Sequence, residues 1–238
     1  MLPPQTEKVW QFLRAQPALA GFVLIGGSAL ALRIQHRLSE DLDFAFHSAQ
    51  LPRVQLRSLL VAARASGFNF TLDDDAAAVQ EFAAGGLELH DYQQNYLVDE
   101  TVKVSFFAPD EPLRKLLAPP DSSAPRLATL PEIFKTKCLV SALRSKSRDW
   151  LDLFLLLRDH GFTMQDYAAA FREAGVESQR DISLQRLCSG TPQRGDEGFA
   201  HLLQNPPSVE EMKIFFPAQR DQLEIALASE ALRKSQPK

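Results

Sequence analysis

The sequence is short of the residues that staple a fold, bind a soft metal or cross a membrane. Its two cysteines, Cys138 and Cys188, are too few for a disulfide scaffold and lack metal-ligand spacing. Its five histidines include no close pair at ligand spacing, and His36, His47 and His90 stand singly. No apolar run approaches the length of a membrane span. Met1-Leu2-Pro3-Pro4-Gln5 has no signal-peptide pattern, so the chain reads as a soluble cytoplasmic protein without membrane contact. A basic excess is missing too: 26 Lys and Arg stand against 30 Asp and Glu, a net charge of −4. That argues against a general nucleic-acid coat and leaves room for a local basic site. What remains is an ordinary globular composition, 45% hydrophobic over 238 residues, which excludes collagen-like, low-complexity and wholly disordered chains. A chain of this length buries a core without staples.

Hydropathy periods divide the chain into an α/β half and a helical half. Pro3-Pro4 and a cap candidate at Thr6 announce a first helix with an apolar stripe of Val9, Trp10, Phe12 and Leu13. Phe22-Val23-Leu24-Ile25 reads as a buried strand ending at Gly26-Gly27, with Ser28 as N-cap candidate of the next helix. Asp41 to Phe46 alternates as a half-buried strand does. Pro52 opens a helix to about Ser66. Phe68–Leu72, Leu87–Leu97 and Thr101–Phe107 read as strands, the last two as a hairpin, and Asp73-Asp74-Asp75 as a solvated turn or helix start. Prolines between Pro109 and Pro131 mark a linker. Helices follow at Pro131–Ser145, Ser147–His160 and Thr163–Ala174, with a last one from Ser208, bent or broken at Pro217.

The chemistry concentrates at Gly26-Gly27-Ser28 and Asp41-Leu42-Asp43. Residues two apart on a strand face the same way, so the two carboxylates project together. They repel each other unless a cation neutralises them. Mg²⁺ suits them, because it takes carboxylate oxygens, keeps waters and accepts phosphates. Glycines let a backbone approach a phosphate, and the following helix N-terminus offers amides and a positive dipole end. Each piece alone is commonly just a turn or a solvated loop. Together, in this order, they describe a site for a nucleoside triphosphate tail and metal.

Gly26-Gly27-Ser28-Ala29-Leu30, then Arg37-x-Ser39-Glu40-Asp41-Leu42-Asp43-Phe44, resembles the signature of the AbiEii/AbiGii-type toxin nucleotidyltransferases, within the DNA polymerase beta-type nucleotidyltransferase superfamily. A second block agrees: Glu132-Ile133-Phe134-Lys135-Thr136-Lys137, Arg144, and Arg148-Asp149-Trp150-Leu151-Asp152-Leu153. The resemblance implies an α/β (α+β) nucleotidyltransferase-like mixed sheet with flanking helices, over residues 1–118. A helical C-terminal bundle at 119–238 is expected to pack on that core and close the cleft. It implies a toxin enzyme moving NMP from an NTP to an acceptor hydroxyl, on RNA such as a tRNA 3′ end or on protein, with a cognate antitoxin as partner. Asp41 and Asp43 would hold Mg²⁺, and Gly26, Gly27, Ser28, Arg37 and Ser39 would face the nucleotide. Lys137 would contact the triphosphate, and Asp149, with Asp152 one turn on, would lie near the reacting groups.

One position departs from the superfamily pattern. A third carboxylate is often found on a later strand, and the aligned position in Thr101–Phe107 is Ser105, which does not ionise usefully. Asp149, Glu88 or Asp91 would have to replace it, or catalysis is weakened or lost. Asp149 is favoured.

Plainer readings stand beside these. By residue type alone Lys137 reads as a snorkelling lysine, and the resemblance reverses that preference. Asp149 complements a helix dipole behind a Ser147 cap, while Asp152 pairs with Arg148. Arg37 is a solvated helix-end charge, and Ser39 a turn hydrogen-bonder. Cys138 is a small buried hydrophobe. The basic run Arg126, Lys135, Lys137, Arg144, Lys146 and Arg148 either holds a polyanion, favouring RNA, or is a solvated face. A small-molecule nucleotidyltransferase of the antibiotic type and a nucleotide-binding protein without catalysis remain as alternative functions.

Overall fold

Phe22–Ile25 forms strand β1 with all four residues buried, as an apolar run without alternation does in a sheet covered on both faces. The computed structural model describes residues 1–119 and 124–235. It divides into two compact units, Met1–Ile133 and Phe134–Lys238. The division falls inside a helix, beyond the boundary expected after residue 118.

In the first unit β1 sits among α1 (Pro4–Leu13), α2 (Gly26–Ile34), β2 (Leu42–Phe46), α3 (Arg53–Ala65), β3 (Phe70–Leu72), α4 (Ala76–Ala84), β4 (Gln93–Val98), β5 (Val102–Phe107), α5 (Glu111–Lys115) and β6 (Arg126–Leu127). The strand order β3-β4-β5-β2-β1-β6 makes a six-stranded sheet. It is mixed: β1 is antiparallel to β2 and parallel to β6, while β2 is parallel to β5. In-register residues share a face, so Phe44 and Phe106 stack at 5.4 Å and Phe22 meets Phe106 edge-on at 5.6 Å. These rings, with Trp10 of α1 at 6.2 Å from Phe44, fill one face.

Several elements differ from the sequence reading for local reasons. Thr6 does not cap α1, which starts at Pro4; it is buried inside the helix and donates to the Glu40 carbonyl at 3.1 Å. Helix α2 begins at Gly26, so Ser28 lies in its first turn and caps nothing. Asp75 caps α4 by accepting the Ala77 amide, settling the aspartate run as a helix start. Leu89–Asp91 is a 3-10 turn, and the strand begins only at Gln93. The expected linker holds α5 and β6, and its residues 120–123 lie outside the described residues. The hairpin holds, with Asp99 and Glu100 at positive φ in its turn.

Helix α6 (Leu130–Leu143) spans the division. Its start, in the first unit, is a capping box in which the Thr129 amide donates to Glu132 at 2.7 Å. Arg126 holds both oxygens of Glu132, at 2.8 and 2.7 Å. The Ala118 amide donates to Glu132 at 2.7 Å. Burial alone pushes the Glu132 carboxyl up, but Arg126 and the Thr129 and Ala118 donors bring it down to about 2.

The second unit continues with α7 (Ser147–Asp159), α8 (Met164–Ala174), α9 (Gln179–Ser189) and α10 (Val209–Ser235). Helix α10 runs unbroken through Pro217, packing Met212, Phe216 and Leu223 into the core. It touches α7, α8 and α9, and this burial offsets the hydrogen bond the proline lacks. Ser147 is inside α7 rather than its cap; Asp196 accepts its amide at 3.2 Å and also its hydroxyl.

Candidate functional site

Three consecutive residues at the β1–α2 turn each take up part of the segment running from 37 to 43. Gly26 has φ +73°, and a Cβ there would stand 3.0 Å from Asp43 Oδ2. A Cβ on Gly27 would stand 2.5 Å from Arg37 Nη2 and 3.0 Å from Ser39 Oγ. The Ser28 hydroxyl lies 3.0 Å from Ser39 Oγ and donates to the Asp41 carbonyl. Gly26 is therefore required twice over, by its left-handed backbone and by the carboxylate lying on it, and Gly27 by the side chains lying on it.

Asp41 ends an irregular stretch, and Asp43 is the second residue of β2. Both are half-buried, with Leu42 and Phe44 in the core. Two carboxylates two residues apart, with a glycine turn against one of them, suit a hard cation that completes its shell with water and phosphate. Among the described residues no group of three or more His, Cys, Asp or Glu converges as a ready metal cage. A pair is what Mg²⁺ asks of a protein when a substrate supplies the rest. No side chain caps α2, and a helix N-terminus carries free amides and a positive dipole end.

The ladder aligns Ser105 with Asp43, and Asn95 follows on β4. Neither strand neighbour of Asp43 in this row, Ile25 on β1 or Ser105 on β5, is a carboxylate. Gln93 pairs with Phe107, so Glu88 and Asp91 precede the end of β4 that lies away from Asp41. Asp91 pairs instead with Arg53 at 3.1 Å.

Arg37 is buried, with Nη1 donating to the Leu38 carbonyl at 2.9 Å, and is no solvated charge. Ser39 is buried as well. Thr6 is the residue the sequence reading missed: its apolar-stripe position hides a hydroxyl aimed at the segment leading to Asp41.

In the second unit Lys137 is 6% exposed and holds Asp149 Oδ1 at 2.6 Å and Asp152 Oδ2 at 2.7 Å. The snorkelling reading therefore fails, and Asp152 turns to Lys137 rather than Arg148. Arg144 Nε holds the other oxygen of Asp149 at 2.8 Å. Burial pushes the Asp149 carboxyl up, but Lys137 and Arg144 outweigh it and hold it below the usual carboxylate range. A carboxylate so held is ionised and a weak proton acceptor. The spacing of Asp149 and Asp152, one helical turn apart, lets a single ammonium bridge them.

Five of the six basic residues of the run meet a carboxylate. Arg126 pairs with Glu132, Lys135 with Glu173 at 2.6 Å, and Arg148 with Glu197 at 3.4 Å, in addition to the pairs of Lys137 and Arg144. These five pairs offset much of the charge that the run would present to a polyanion. Cys138 is fully buried, and burial pushes its thiol up, as a small hydrophobe requires. No helix among the described residues is long and apolar enough to cross a membrane.

Two solved structures resemble the chain over 99% of its length and 100% of theirs. JHP933 from Helicobacter pylori superposes with a TM-score of 0.52 at 20% identity. A second H. pylori structure, described provisionally as a nucleotidyltransferase, gives 0.50 at 19%. At such identity the likeness concerns the fold. No curated protein matches the chain. The family described as "Nucleotidyl transferase AbiEii toxin, Type IV TA system" matches residues 11–234, spanning both sequence blocks. The chain is a member of the AbiEii toxin nucleotidyltransferase family of type IV toxin–antitoxin systems.

Proposed function

We propose that the chain binds an NTP with Mg²⁺ at the Gly26-Gly27-Ser28 turn and transfers its NMP to an acceptor hydroxyl. The observation that carries this reading is the approach of Asp43 to Gly26, with 3.0 Å between the carboxylate and the place of a Cβ. It brings one carboxylate of the pair against the turn, which supports reading the two together as a phosphate and metal site. Asp41 and Asp43 would hold Mg²⁺, which when bound offsets phosphate charge and favours ionisation of the attacking hydroxyl. The α2 amides and dipole end would orient the triphosphate tail, with Arg37 and Ser39 directly behind the turn.

The acceptor oxygen forms a bond to the α-phosphorus, the bond from that phosphorus to the bridging oxygen breaks, and pyrophosphate leaves with its electron pair. The hydroxyl proton passes to water or a carboxylate. Lys137 and Asp149 remain in the proposal as the residues the family pattern assigns to the triphosphate and to acid–base work. Their mutual neutralisation favours a role for Lys137 in holding its two carboxylates.

A tRNA 3′ end is the first acceptor to test, ahead of protein and cationic small molecules, and the genetic neighbour of such a toxin is an antitoxin. Purified chain is incubated with each α-labelled NTP and, in turn, total tRNA, a protein lysate and an aminoglycoside. Label moving to tRNA supports the reading; label moving only to the drug replaces it with the small-molecule reading. Ser105 beside Asp43 favours one further reading, nucleotide binding without turnover. Calorimetric NTP binding with no label moved in any arm selects it.

A further inference from the structure

Asp41 is the one member of the carboxylate pair that the sheet does not hold. Strand β2 starts at Leu42, and residues 35 to 41 have no regular structure. A backbone outside a ladder keeps a fixed place only when other groups take its polar atoms. Here two buried hydroxyls do so on successive residues. Thr6 of α1, 3% exposed, donates to the Glu40 carbonyl at 3.1 Å. Ser28 of α2, 1% exposed, donates to the Asp41 carbonyl. Ser28 is steadied in turn by Ser39 at 3.0 Å.

We infer that Thr6 and Ser28 are positioning residues for Asp41, acting through the 40–41 backbone to set the separation of the two carboxylates. Ser28 then serves the metal pair from behind instead of donating to the triphosphate, since its hydroxyl proton is already committed. Thr6 serves it from a helix that carries none of the family's sequence blocks. The inference rests on the reading of Asp41 and Asp43 as a divalent-cation pair. It extends that reading to residues that touch neither cation nor nucleotide. Its physical basis is preorganisation: carboxylates held at the right spacing bind a small rigid cation better than carboxylates that must be gathered first.

The test titrates Mn²⁺ alone into the full chain and follows free Mn²⁺ by electron paramagnetic resonance, with Asp41→Asn as control. The variants are Thr6→Val, which keeps volume and removes the hydroxyl, Ser28→Ala, and Thr6→Ser, which restores the donor. Each is measured well below its own melting temperature. Thr6→Val and Ser28→Ala are expected to weaken Mn²⁺ binding about fivefold each, the worth of one hydrogen bond, and Thr6→Ser to restore it. The KM for NTP at saturating metal is expected to stay unchanged in Thr6→Val. Wild-type Mn²⁺ affinity in both hydroxyl-deleted variants, beside loss in Asp41→Asn, overturns this inference alone. A raised NTP KM in Ser28→Ala with unchanged Mn²⁺ affinity overturns it for Ser28 and returns that residue to the triphosphate. Absence of Mn²⁺ binding by the wild type overturns the metal reading and this inference with it.

Discussion

Asp43 and Ser105 are direct partners across the parallel β2–β5 pair, and they share a face. The next partners along, Phe44 and Phe106, stack their rings on the opposite face, which fixes the alternation. Ser105 therefore occupies the place from which a third carboxylate would join Asp41 and Asp43.

Ser105→Asp is expected to convert the pair into a triad. Without metal a further anion in the row is repelled and lowers the melting temperature; with Mg²⁺ the loss is recovered by ligand linkage. Mn²⁺ affinity should rise about tenfold, the equivalent of ~1.4 kcal/mol. Scanning calorimetry with and without Mg²⁺ checks this, and a metal-independent melting temperature would show that residue 105 does not reach the cation.

Gly26→Ala and Gly27→Ala are expected to fail differently. At Gly26 an L-residue meets the left-handed backbone, costing roughly 1–2 kcal/mol, and pushes Asp43 aside. At Gly27 the backbone is ordinary, but the methyl displaces the buried Arg37 and Ser39, an overpacking cost of about 1–3 kcal/mol. Urea denaturation gives both costs. Only Gly26→Ala should also weaken Mn²⁺ binding directly through Asp43.

Lys137→Met is expected to destabilise the chain by about 3–5 kcal/mol, because it leaves Asp149 and Asp152 buried without their shared cation. Lys137→Met/Asp149→Asn/Asp152→Asn should regain most of that loss, since no uncompensated charge remains. Urea midpoints measure both. A single variant as stable as wild type would mean the ammonium is dispensable to the fold.

The depressed carboxyls set a pH window. Glu132 falls from 4.5 to about 2 on folding, and Asp149 is also lowered. A lowered folded pKa gives stability that is complete above the unfolded value and is lost as pH falls toward the folded one. Stability from Glu132 should therefore fade between about pH 4.5 and 2. Glu132→Gln should flatten that limb in melts recorded across the range.

Where a residue's neighbours in sequence decide its state, the structure was legible beforehand. Phe22–Ile25, the α3 periodicity and the β4–β5 hairpin are such cases; Asp41, expected on the strand with Asp43, instead lies outside it, since β2 starts at Leu42. What stayed hidden depends on partners far along the chain. The two-residue β6 has no period of its own and exists only because β1 offers an edge. The basic run looked like a polyanion surface because Glu173 and Glu197, which neutralise Lys135 and Arg148, lie well downstream. Thr6 and Ser28 look like helix caps by type, and only the fold shows their hydroxyls turned to the 40–41 backbone. Lys137 reads as a snorkelling lysine by type alone; its burial follows from two carboxylates on the next helix.

The central claim is metal-dependent NMP transfer through Asp41 and Asp43. Its most direct measurement is transfer of α-labelled NMP to tRNA by purified wild type, Asp41→Asn and Asp43→Asn, with Mg²⁺ and with EDTA. The account predicts transfer by the wild type with Mg²⁺ and none with EDTA, and at least a hundredfold loss in each variant, corresponding to ~2.7 kcal/mol or more. Undiminished transfer by either folded variant, or by the wild type in EDTA, would contradict it.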